Sequence, residues 1–101
     1  MKQGWFAKRR LKRYVNELTS LAKNLSADVK VVNVLIPGYE ELDAWIDIVV
    51  PDEKEEEISD ALSQRRSEIS FQNGFTIGLG VMERSHYETV HAKLNGNSKT
   101  F

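Results

Sequence analysis

The spacing of apolar residues switches repeatedly between a helical and a strand period, and the order of those switches leaves few folds open. Leu11, Tyr14, Val15, Leu18, Leu21, Ala22 and Leu25 recur at threes and fours. That is one stripe of an amphipathic helix, ending near Ser26. Val29 to Ile36 is rich in β-branched residues and is stopped by Pro37-Gly38, a strand followed by a turn. Leu42 to Val50 alternates strictly, with Ala44, Ile46, Ile48 and Val50 on one side and Asp43, Trp45, Asp47 and Val49 on the other. The short link between these strands predicts an antiparallel hairpin.

Pro51-Asp52 then predicts a helix start, with Asp52 as cap and Glu55 three residues on, the spacing of a capping box. Ile58, Ala61, Leu62, Arg65 and Ile69 form its expected inner stripe, and Asn73-Gly74 its stop. Phe75 to Met82 reads as a third strand, with Gly78 and Gly80 on one face. Glycines there admit a close neighbour, whether a packed helix, another subunit or a ligand, of which a packed helix is the expected occupant. Ser85-His-Tyr-Glu88 repeats the capping-box spacing, and Tyr87, Val90 and Leu94 share a face before Asn95-Gly96. The order α-β-β-α-β-α predicts one α+β domain over residues 1–95. It has a three-stranded mixed sheet, helices packed mainly on one face, and a flexible tail at 96–101. Either the first or the second strand can neighbour the third.

The chain has 101 residues and no cysteine. Disulfides, thiolate metal sites and cysteine nucleophiles are therefore excluded. No apolar run is long enough to span a bilayer, and the basic N-terminal stretch leads into an amphipathic stripe rather than a signal peptide core. A cytoplasmic location without membrane contact is the expectation.

Charge is distributed far less evenly than a net of −1 suggests. Residues 1–23 hold seven basic side chains against Glu17 alone, while residues 40–60 hold ten acids against Lys54 alone. Such a dipole suits a molecule that meets a charged partner or another copy of itself. Lys8, Arg9, Arg10, Lys12 and Arg13 form the densest basic run. A patch of this kind can neutralise phosphates, and Trp5 or Phe6 beside it could stack on a base, so nucleic acid is a possible partner. A pI near 6.1 argues against a dedicated nucleic-acid binder.

Asp43, Trp45 and Asp47 fall on one strand face. Carboxylates clustered there suit Mg²⁺ in principle. The order of elements, with Trp45-Ile-Asp47 on the second strand, resembles the minimal nucleotidyltransferase domains. Those carry an Asp-x-Asp strand after a glycine-serine turn and a third carboxylate on a later strand. Asp47 matches the second aspartate. Trp45 stands in place of the first, Pro37-Gly38 in place of the glycine-serine turn, and the nearest third carboxylate is Glu83. Two-metal chemistry needs bridging carboxylates, so the resemblance implies a related fold with a lost site. Otherwise Asp43 and Asp47 guard a sheet edge by charge, and Trp45 anchors an interface.

His86 and His91 lie off-register for a shared helical face, so no metal site is assigned. Neither a nucleophile elbow nor a phosphate- or dinucleotide-binding glycine motif is present, so no catalytic residue and no cofactor are assigned. The sequence reads as a small non-enzymatic interaction or self-assembly module. The expected interaction residues are Lys8, Arg9, Arg10, Lys12, Arg13, Asp43, Trp45 and Asp47, and the expected partner is a second copy or another protein. Nucleic-acid binding through the basic helix, or a degenerate nucleotidyltransferase-like domain, are the alternatives.

Overall fold

A computed structural model describes the backbone of residues 5–90 and the side chains of residues 7–90. The predicted tail, His91 and the side chains of Trp5 and Phe6 lie outside the described residues. Helix α1 (Trp5–Leu25) is followed by strand β1 (Lys30–Leu35), strand β2 (Ala44–Val50), a 3-10 turn (Asp52–Lys54), helix α2 (Glu55–Asn73) and strand β3 (Ile77–Glu83). A third helix, α3, begins directly after β3 and occupies residues 84–90 of the described chain. The fold is α+β, in the predicted order.

The strand order is β1-β2-β3, so β3 lies beside β2 and the hairpin's second strand becomes the centre of the sheet. β1 and β2 run antiparallel, while β2 and β3 run parallel, joined through α2. Trp45 is aligned with Leu35 on one side and Gly78 on the other; Asp47 is aligned with Asn33 and Gly80. An extra residue in β1 shifts the register between Val31 and Asn33. The hairpin turn contains a cis peptide at Ile36–Pro37. Gly38 is required there, because a Cβ would stand 2.8 Å from the Ala44 carbonyl carbon.

The core lies between the sheet and the two long helices. Leu11, Val15, Leu18 and Ala22 of α1 and Ile58, Leu62 and Ile69 of α2 are buried with Ala44, Ile46, Ile48, Val50 and Ile77. Burying each large aliphatic side chain contributes about 1.5–3 kcal/mol. Arg65, expected on the inner stripe, instead sits at its margin and bonds Glu17 of α1 and Glu68. Helix α2 ends as expected at Gly74, which takes φ 79° and donates its N–H to the Ser70 carbonyl at 2.9 Å.

Two capping expectations are corrected. Asp52 does not cap the long helix, and neither the 3-10 turn nor α2 has a side-chain cap bond. Its Oδ1 accepts instead from the N–H of Ser85 at 3.0 Å, serving the first turn of α3. Ser85 is consequently a capped residue rather than the cap of its own helix. The physical reason is topological. The parallel β2–β3 pairing aligns Val50 with Glu83, so the residues following each strand meet at the same end of the sheet.

Candidate interaction surfaces

Helix α1 runs antiparallel to α2: Arg10 reaches Asn73 (3.4 Å), and Glu17 pairs with Arg65 through a contact of 3.2 Å and a second, closer one. The basic run therefore lies beside the C-terminal end of α2, and the acidic first turn, Glu55 to Glu57, lies at the opposite end of the helix pair. At 1.5 Å per residue, Asn73 and Glu56 are about 25 Å apart. The separation holds for the basic run and that first turn; Asp43 stands beside Lys8 at the basic end, and Lys23 lies at the other end of α1. The acids of the first turn also suit the positive end of the α2 dipole, which gives them a local role. Pairing with Glu17 and Glu68 holds the Arg65 guanidinium above its ordinary pKa range. The one acid of the basic stretch is thereby engaged.

Lys8, Arg9, Arg10, Lys12 and Arg13 are all exposed. Arg10 is committed to the domain itself: its guanidinium lies 5.8 Å from the centre of the Phe75 ring, which packs 5.9 Å from Tyr14. Lys8 lines a small cavity of about 270 Å³ with Asp43, Pro37 and Phe75. The other two expected residues, Trp45 and Asp47, are on the opposite face of the sheet from α1, because they alternate with the buried Ala44, Ile46 and Ile48. The structure brings Lys8 and Asp43 together but keeps the basic run apart from Trp45 and Asp47.

Trp45 is half-buried rather than open. The nearest neighbours of Gly78 and Gly80 are the Trp45 ring, Leu42 and Asp47, and Tyr87 of α3 lines a cavity with Gly80 on the same side. A Cβ on Gly78 would fall inside contact distance of the indole, 2.7 Å from Cζ3, and 2.8 Å from Leu42 Cδ1. A Cβ on Gly80 would come 3.0 Å from Trp45 Cζ2 and collide with Asp47 Oδ1. The Tyr39 ring stands edge-on to Trp45, with centres 5.4 Å apart, a favourable aromatic geometry. The tryptophan thus fills the space that its cross-strand glycines vacate.

The two aspartates are likewise engaged. Asp43 Oδ2 accepts from the Thr76 N–H at 2.8 Å and so ties the start of β2 to the start of β3. Asp47 Oδ2 accepts from Asn33 Nδ2 at 3.1 Å across the hairpin. Glu83 lies at the far end of β3, three residues beyond the partner of Asp47 and on the other sheet face by alternation. Asp52 is held below the ordinary carboxylate range by its hydrogen bonds to Ser85, with the nearby Arg84 adding to the effect. Among the described residues, no group of three or more His, Asp or Glu is placed to hold a metal ion. No helix among them is long and apolar enough to cross a membrane.

The flank where α1 overhangs β1 was not singled out by the sequence. A groove of about 410 Å³ runs there, walled by Lys12, Asn16, Thr19 and Lys23 of α1 and floored by apolar side chains that include Val31, Val34 and Ile36. Val34 aligns with buried Ile46, on the core side of the sheet, yet is 40% exposed because the helix leaves the edge uncovered. Alternation alone could place Val34 inward; it could not reveal that β1 is an outer strand. No protein-family model, curated protein or solved structure matches the chain.

Proposed function

We propose that this chain is a small non-enzymatic interaction module that self-associates through opposed charge at the two ends of its helix pair. The observation that carries the reading is the segregation of the basic run from the acidic first turn of α2 along one axis. Two copies laid antiparallel would set each basic end against the other's acidic end twice, a self-complementary contact with two-fold symmetry. The carboxylates on the Trp45 face are occupied in holding strands together, which favours an architectural role for that face over a catalytic one.

Light scattering after size exclusion tests this directly. A dimer is expected at low salt, dissociating near 1 M salt, where the screening length falls to about 3 Å. Lys8→Glu combined with Arg13→Glu should leave a monomer at both salts. A monomeric parent protein at low salt, or a dimer indifferent to both salt and the double variant, would overturn the proposal. In that event the exposed Lys8, Lys12 and Arg13 make a phosphate backbone the next ligand to try, with a steep salt dependence as its signature.

A further inference from the structure

We infer that the α1/β1 flank receives an extended acidic segment of another protein, which adds to the sheet as a fourth strand beside β1. This surface shares Lys12 with the basic run and otherwise lies along the outer edge of β1, away from the acidic first turn of α2. β1 pairs with β2 on one side only, and its other edge makes no backbone ladder with any described element. Exposed edges are usually blunted by charge, proline or a cover. Within β1 only Lys30 is charged, and Val32 and Val34 are 44% and 40% exposed. The extra residue at Val32 interrupts the ladder near the start of β1, leaving Asn33–Leu35 as the regular half on which a new strand can pair.

Beside that edge the groove offers apolar seats at Val15, Val31, Val34 and Ile36, with Lys12 near one end and Lys23 near the other. The two lysines are eleven residues apart on a helix, about 16 Å. Five residues of extended chain span nearly the same length, about 17 Å. Main-chain bonds to β1 would supply affinity, and alternate side chains would enter the apolar seats. Lysine at both ends asks for acid at both ends of the occupant.

Charge also separates the candidate occupants. A second copy pairing antiparallel through its own β1 would set Lys23 against the other copy's Lys12 at both ends, like charge on like. Residues 91–101 carry Lys93 and Lys99 and no acid, so they do not complement the groove either. An acidic segment from a different protein does.

The test uses the whole chain, isotope-labelled, and a synthetic peptide with glutamate pairs flanking an alternating Val-Thr centre. The control peptide has the same centre flanked by lysine pairs. Amide shifts are expected to cluster at residues 31–36 and along residues 12–23, with the glutamate peptide alone binding. Lys23→Glu should weaken binding about fivefold. Val34→Lys should abolish it while thermal unfolding reports an intact domain; if that variant fails to fold, Lys23→Glu carries the test. Glu56→Lys with Glu57→Lys, which reverses the acidic end the dimer would use and lies away from the groove, should leave peptide affinity within about twofold. Equal binding of the lysine peptide would overturn the inference. So would shifts confined to the Trp45 face, a dimer lost in Val34→Lys, or no shifts at about 1 mM peptide.

Discussion

The Trp45 face and the α1/β1 flank both carry apolar side chains outside the main core, yet they are built in opposite ways. On the first, a large ring lies over two glycines, Tyr39 closes on the ring, and Asp43 and Asp47 bond groups on the neighbouring strands. On the second, valines stand at an unpaired edge beside lysines that overhang an open groove. The difference teaches that an aromatic residue between two acids need not be a binding anchor. If the next strand carries glycine opposite it, the fold itself can satisfy it. Exposure at a medium-sized apolar residue is the more telling sign when it coincides with an open backbone edge.

Substitutions can break this comparison. The largest effect is expected for Trp45→Ala, which empties the space above Gly78 and Gly80 and should cost about 3 kcal/mol in a denaturant titration. A change within about 0.5 kcal/mol would mean that the ring is an exposed anchor after all and that the two regions are alike. Gly78→Ala comes next, at about 2 kcal/mol, because its methyl meets a rigid ring and Leu42 rather than a flexible chain end. The same change made in the Trp45→Ala background should be nearly neutral, and that non-additivity is the sharper measurement of the contact. The smallest effect belongs to the flank: Val34→Thr should alter the unfolding midpoint by no more than about 0.5 kcal/mol. A loss of several kcal/mol there would show that the groove is part of the core.

Much of this architecture was legible from periodicity. The α1 stripe from Leu11 to Leu25, the alternation through Ala44–Val50 and the glycine stop of α2 all appear where their spacing and turn chemistry predict. Strand ends were less accurate: β1 begins at Lys30, and β3 at Ile77 rather than Phe75. Phe75 is drawn out of the strand into ring contacts with Tyr14 and Arg10, which are remote in sequence. Asp52 shows the same limit. Its spacing to Glu55 is that of a local cap, but a carboxylate bonds whichever N–H the tertiary fold places beside it, and here that is Ser85.

Local chemistry was therefore enough to determine which segments coil and which extend, which side of each is apolar, and that basic and acidic residues occupy different stretches. Helical and strand preferences act over a few residues, so their record is in neighbouring positions. Tertiary structure decided the rest. It placed β2 in the centre, left β1 and β3 as the edges, set the basic run and the acidic first turn of α2 at opposite ends of the helix pair, and closed Trp45 over its glycines. Those outcomes depend on which distant elements share a boundary, a choice made by the packing of whole faces and carried by no single stretch of chain.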